Sequence, residues 1–253
     1  MACIELDGLS REFGGVLAVD DLSMKADQGE VVSLIGPNGA GKTTALNLIS
    51  GYYRPTSGTV RFDGADLNGK EPHERALVGL QRTFQNLQIC FNMTARENVM
   101  LGTHQHLAHG AISSIFLRRR IRSETQAAAH RADELMARVG LEQWSHREAA
   151  EMPYGALKRL EIARALAARP KALLLDEPAA GLNPSETHEM EHLIRGIADE
   201  GVAVILVEHD MKLVMSISDR IVVLNFGKRL AQGRPEEVRS NPEVVRAYIG
   251  GEL

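Results

Sequence analysis

One stretch, EVVSLIGPNGAGKTTALNLISG from Glu30 to Gly51, constrains the fold of the 253-residue chain more than any other. A short apolar run reads as a strand, a glycine-rich loop follows at once, and TTALNLIS reads as a helix stopped by Gly51. The loop matches G-x-x-x-x-G-K-[ST] at Gly36, Gly41, Lys42 and Thr43, and it falls between a strand and a helix, as the pattern requires. Gly36, Pro37, Asn38, Gly39, Ala40 and Gly41 are expected to wind the backbone tightly, so that amides from the loop through Thr44 face phosphate oxygens. Lys42 then adds a charge at the β- and γ-phosphates, and Thr43 offers Mg2+ a hydroxyl.

The complementary half is KALLLDEP. Its leucines read as a buried strand that sets Asp176 and Glu177 at the carboxyl end, where open α/β sheets place ligands. Asp176 is expected to help hold Mg2+ through water, and Glu177 to polarise an attacking water beside the γ-phosphate. A lone Asp-Glu pair is commonly a solvated strand end; the phosphate loop gives this one a task.

Around these segments the chain alternates. CIELDGL, LSMKA and TSGTVRFDGADL predict a small β-rich layer near the N-terminus. From about Asn86 to Glu151 the strand signals fade, and SETQAAAHRADELMARVG, Ser123 to Gly140, predicts a helix within a helical insert. The last third returns to alternation with KALLLDEP, the helical PSETHEMEHLIRGIADEG, the strand in VAVILVEHD, a short helix and the hairpin-like RIVVLNFGKRLAQG. Strands alternating with helices predict an α/β core with a mostly parallel sheet. The expected division is one domain, with a core over 1–85 and 152–253 and a helical subdomain over about 86–151.

Composition narrows the class. With 44% hydrophobic and 25% charged residues the chain is an ordinary globular one, and a formal charge of −4 lacks the basic surplus that non-specific nucleic-acid binding calls for. Cys3 and Cys90 form no CxxC-type pair, so neither a disulfide framework nor structural zinc is indicated, and a reducing cytosol fits. MACIELDGLSREF has no basic and apolar leader, and the longest apolar strings, such as VAVILV at 202–207, are strand-sized. The expectation is a chain that neither spans a membrane nor is secreted. His104, His106 and His109 do not align on one helix face and are read as surface loop rather than a metal site. The run LRRRIR, Leu117 to Arg122, is read as a solvated helix face.

EMPYGALKRLEIARAL, Glu151 to Leu166, sets a tyrosine-glycine turn ahead of an amphipathic helix. Leu157, Leu160, Ile162, Ala163 and Leu166 make its apolar side, and Lys158, Arg159 and Arg164 are expected in solvent. Free amides at a helix N-terminus favour an anion, but alone this stretch decides nothing.

The order of phosphate loop, TFQN, glycine turn before a basic helix, LLLDEP, AAGLNP and VEHD resembles the ATP-binding-cassette family over nearly the whole chain. That resemblance implies a RecA-like P-loop core with ATP and Mg2+ as its ligands. By it, Phe13 before a Gly-Gly pair corresponds to the aromatic that stacks on adenine. Gln85 likewise corresponds to the glutamine that senses Mg2+ and water, and His209 to the histidine that contacts the γ-phosphate. MPYGA, Met152 to Ala156, stands where the family writes LSGGQ, the turn that reaches across a dimer to the γ-phosphate on the partner's phosphate loop. Pro153 replaces a serine, Tyr154 a glycine and Ala156 a glutamine, which leaves the amides of Tyr154, Gly155 and Ala156 as the anion donors.

More narrowly, FGGVLAVDDLS, SLIGPNGAGKTT, RTFQN, RLEIARAL, DEPAAGLNP and GTHQHLAHGAISSIFLRRRIRSE are similar to an ATPase subunit of branched-chain (hydrophobic) amino-acid importers. The ATPases of urea and short-amide importers are closely similar. The implied partners are transmembrane permease subunits, a second ATPase subunit that is either identical or a sister chain, and indirectly a periplasmic or extracellular solute-binding protein. The implied location is peripheral, on the cytoplasmic face of the inner membrane. QNLQICF, Gln85 to Phe91, matches the family segment that receives a short helix of the membrane subunit, with Leu87, Ile89 and Phe91 as apolar contacts. Soluble cassettes of DNA repair or translation usually carry a long coiled coil or tandem cassettes, neither of which is read here. A scaffold that hydrolyses nothing could readily lack Glu177.

Overall fold

The computed structural model describes residues 2–103 and 118–249. Two compact units emerge, Met1–Gln85 with Lys171–Leu253, and Asn86–Pro170.

In the first unit, β1 (Ala2–Phe13), β2 (Val16–Asp27), β4 (Ser57–Phe62) and β5 (Ala65–Asp66) form an antiparallel sheet in the order β2-β1-β4-β5. β2 alternates buried and exposed residues over its second half, as a strand with one wet face does. The second sheet runs β10-β9-β3-β8-β7-β6, from β3 (Val31–Ile35), β6 (Leu80–Arg82), β7 (Ala172–Asp176), β8 (Ala203–Val207), β9 (Arg220–Asn225) and β10 (Lys228–Gly233). Every pairing in it is parallel except the β9–β10 hairpin. VVSLI, ALLLD and AVILV are buried at every position and, Ser33 and Asp176 apart, wholly apolar, because a central parallel strand is covered on both faces. The expected α/β fold, with an antiparallel layer beside a mostly parallel sheet, is the one observed.

Helix signals in this unit are local. Asn183 caps α6 (Pro184–Asp199), accepting from the amides of Ser185 and Glu186 at 3.0 Å each, and Glu186 returns a bond to Asn183. Asp210 caps α7 (Met211–Ile217) through the amide of Lys212 at 2.8 Å. Arg75, in α2 (Pro72–Leu77), is fully buried and donates to the carbonyls of Leu48, Ile49, Leu67 and Lys70. It thereby closes the C-terminal end of α1 (Lys42–Ser50), and burial lowers its pKa to about 10.

The second unit packs α3 (Ala95–Gly102), α4 (Arg118–Arg138) and α5 (Tyr154–Ala167) on one another. Gly102 lets α3 approach α5 closely, since a Cβ there would lie 2.1 Å from the carbonyl oxygen of Arg164. By compactness α5, which the sequence pattern groups with the core from residue 152, falls with α3 and α4 in the unit that runs to Pro170. Lys158 is corrected. It is buried at 3% exposure rather than solvated, because α5 is packed against two helices, and its ammonium sits 5.7 Å from the centre of the Tyr154 ring.

Candidate functional site

The phosphate loop leaves β3 at the centre of the parallel sheet. Gly36 and Gly41 are required by close approach: a Cβ would lie 2.2 Å from the Leu224 carbonyl oxygen at the first and 2.3 Å from that of Ala18 at the second. Gly41 also has φ 101, in the left-handed region, and caps α1 without a side-chain hydrogen bond. The Ala45 amide makes the first helical bond, to Gly41 at 2.9 Å, so the amides of Lys42, Thr43 and Thr44 stand ahead of it at the positive end of the helix. Asn38, Gly39 and Thr43 are exposed, while Pro37 and Thr44 are half-buried and Ala40 is buried. The Lys42 ammonium folds over the loop to the carbonyls of Gly36 and Pro37, at 2.7 and 3.0 Å. Burial pulls its pKa below the ordinary lysine value, and the carboxylates of Glu177 and Asp176 oppose that shift.

At the same edge of the sheet β7 ends in Asp176 and β8 in Val207. The Glu177 amide donates to the Val207 carbonyl at 2.9 Å and its φ is 49, a left-handed conformation unusual for a glutamate. Thr83 continues the β6–β7 pairing by donating to Leu174 at 2.9 Å, which delivers Gln85 to this edge. The Gln85 amide nitrogen donates to Glu177 Oε2 at 3.1 Å, and His209 Nδ1 lies 3.9 Å from Glu177 Oε1. Two residues far apart in sequence, Gln85 and His209, thus converge on the Glu177 carboxylate. Phe13 is 38% exposed, with the Arg11 guanidinium 4.5 Å from its ring centre and the Tyr53 ring edge-on at 5.2 Å.

Arg82 was not singled out from sequence, and it holds Asp176. Its Nη2 lies 3.0 Å from Asp176 Oδ2, while Nη1 donates to Asn47 Oδ1 and Ser50 Oγ at 2.6 and 2.9 Å. The only sequence signal is its place one residue before TFQN, and it acquires meaning once β6 is known to lie beside β7. Thr43, Gln85 and Asp176 offer a hydroxyl, an amide oxygen and a carboxylate, the hard oxygen donors that Mg2+ prefers, so the residues present fit that ion.

In the second unit Pro153 caps α5 with no side-chain hydrogen bond, and the first helical bond is Leu157 to Pro153 at 3.1 Å. The amides of Tyr154, Gly155 and Ala156 precede it; Tyr154 is 46% exposed, and the other two residues are buried. The loop before α3 is clamped to α5: Glu161 accepts the Gln88 amide at 3.4 Å and Arg164 donates to the Gln88 carbonyl. Of the three apolar residues named for docking, Ile89 is buried, Leu87 is half-buried and Phe91 is exposed. Ile89 is therefore packed within the unit, and the exposed apolar surface of this loop belongs chiefly to Phe91.

None of the helices, among the described residues, is long and apolar enough to cross a membrane. His104, His106 and His109 lie outside the described residues, as do the side chains of the basic run from Arg118 to Arg122.

Known proteins resemble this chain in sequence and in fold. The ABC transporter profile matches residues 19–180, and the profile of the branched-chain amino acid ATP-binding cassette transporter matches 228–253. The chain is 47% identical over 252 residues to the high-affinity branched-chain amino acid transport ATP-binding protein BraF of Pseudomonas aeruginosa, covering 98% of this chain and 97% of that protein. The solved structure of an ATP-binding cassette of an ABC transporter in its ADP conformation superposes with a TM-score of 0.86, at 32% identity and 99% coverage of both chains. A dimeric cassette in a post-hydrolysis state, bound to ADP and Pi, gives a TM-score of 0.77 at 26% identity, covering 92% of this chain and 98% of that one. The chain belongs to the ABC transporter family, as one of its ATPase cassettes.

Proposed function

We propose that this cassette energises an importer of branched-chain amino acids, docked on the cytoplasmic face of transmembrane permease subunits that receive solute from an external binding protein. The observation that carries the enzymatic part is the meeting of Gln85, Glu177 and His209 beside the phosphate loop. The solute rests on the 47% identity with BraF over nearly the whole chain.

In this reading the free amides of the phosphate loop and those of Lys42, Thr43 and Thr44 hold the phosphates of ATP, with the Lys42 ammonium at the β- and γ-phosphates and Phe13 against adenine. Thr43, Asp176 and Gln85 would hold Mg2+, which would supply positive charge to neutralise the phosphates. Glu177 accepts a hydrogen bond from the attacking water, Gln85 fixes the Glu177 carboxylate, and His209 faces the γ-phosphate. The turn Tyr154–Gly155–Ala156 serves the γ-phosphate of a second cassette, an identical copy or a sister chain, and such a dimer is supported by the ADP- and Pi-bound dimer among its structural relatives.

Purification from detergent-solubilised membranes, followed by reconstitution in proteoliposomes, tests the assignment. The expected result is co-purification with spanning subunits and ATP-dependent uptake of leucine, isoleucine and valine. Uptake of urea or short amides in their place would move the chain to a neighbouring class of importer.

A further inference from the structure

Glu208 is a buried carboxylate beside the His209 ring. It follows β8 immediately, precedes His209 and is 1% exposed. Its Oε1 accepts the Ala179 amide at 2.9 Å, from the turn just after Glu177. Its Oε2 accepts the amides of His209 at 3.0 Å and Asp210 at 3.5 Å, and lies 3.7 Å from the His209 imidazole Nδ1. Among the described residues His209 is the one basic side chain in ion-pair range of it. Burial pushes the Glu208 pKa up, and the amides of Ala179, His209 and Asp210 hold it back.

A buried carboxylate is costly, and an apolar residue would fill this volume without that cost. What the carboxylate adds is a fixed direction. The Ala179 amide anchors one oxygen, and the second oxygen is thereby aimed at the turn and ring of His209. With Glu177 Oε1 at 3.9 Å and Glu208 Oε2 at 3.7 Å, the Nδ1 side of the imidazole faces two carboxylates, leaving the Nε2 side for the phosphate.

We propose that Glu208 is a positioning residue for ATP hydrolysis, acting through His209, whose turn and ring it holds in place from an anchor on the Ala179 turn. The inference rests on the reading of His209 as the γ-phosphate contact. Glu208→Gln preserves shape but replaces one acceptor oxygen with an NH2 group, so one of the two turns loses its partner.

The test is a double-mutant cycle in steady-state ATP hydrolysis, with Glu208→Gln, His209→Ala and the double variant. Glu208→Gln should lower kcat about 10- to 100-fold while the KM for ATP stays within about threefold, and the double variant should fall no more than about twofold below His209→Ala. Glu208→Asp, which keeps the charge, should recover part of the rate, and it replaces the glutamine variant in the cycle if that variant does not fold. If the two losses multiply, or if Glu208→Gln hydrolyses ATP at the parent rate, the proposal is overturned. His209→Ala at the parent rate would instead remove the role read for His209, and this inference with it.

Discussion

Arg82 and Asp176 form an ion pair at 3.0 Å with their side chains only 7% and 4% exposed. It ties the carboxyl end of β7 to α1, since Arg82 also holds Asn47 and Ser50. Removing Arg82 takes the guanidinium from a buried carboxylate that then keeps only its remaining interactions, among them the charge of Lys42, at a cost of up to about 3–5 kcal/mol. Arg82→Met should lower the unfolding free energy by about that amount, read as a lower urea midpoint at unchanged slope. Arg82→Lys should restore only part of it, because one ammonium cannot serve Asn47, Ser50 and Asp176 in the fork geometry of a guanidinium. A shift below about 0.5 kcal/mol in Arg82→Met, the range of ordinary surface substitutions, would show that the pair holds nothing.

Cys3 is 1% exposed, and burial, reinforced by the nearby Asp63 carboxylate, pushes its pKa from 9.0 to about 12. The folded chain therefore keeps the neutral thiol where the unfolded chain would ionise. The sign follows: any stability from this preference is whole below pH 9.0 and is lost as pH rises from there through about 12. Native protein at pH 8 should react with a thiol reagent at the half-buried Cys90 and leave Cys3 intact, with both reacting after denaturation. Rapid native labelling of Cys3 would contradict the packing of β1.

At the N-terminus of α5, Pro153 offers neither an N–H nor a capping oxygen. Pro153→Ser should add a side-chain acceptor for an early helical amide, worth about 0.5–2 kcal/mol of stability, and a hydroxyl donor for a bound phosphate. In a Glu177→Gln background it should therefore strengthen the ATP-dependent dimer, followed by analytical ultracentrifugation. Gly155→Glu in the same background should prevent that dimer by setting a carboxylate against the phosphate. Dimerisation equal to that of the parent would exclude this turn as the site that meets a partner's nucleotide.

What was legible in the sequence was whatever has a local physical signature. VVSLI, LLL and VAVILV announce buried parallel strands because they are short, almost wholly apolar runs, two of them rich in β-branched residues, bounded by glycine, proline or charged residues. The phosphate loop is legible because Gly36 and Gly41 are forced by approaching carbonyls. Features set by tertiary packing were not legible. Lys158 reads as a solvated charge until α3 and α4 enclose α5, and the same packing groups α5 with them in the compact unit that runs to Pro170. Arg82 sits in a strand of three residues, too short to declare its register, so its pairing with Asp176 emerges only from the sheet. Ile89 shows the limit of reading exposure from a loop, since an apolar residue there is as suited to packing inward as to meeting a partner.

The most direct test of the account is Glu177→Gln, measured for ATP binding and for phosphate release on the same preparation. Gln85 and His209 converge on this carboxylate, which places its work at the attacking water and not in nucleotide affinity in the mechanism proposed above. The predicted result is an ATP dissociation constant within about threefold of the parent, with phosphate release lowered by about 100-fold or more, the scale of a lost general base. Phosphate release at the parent rate from a variant that still binds ATP would contradict the central claim.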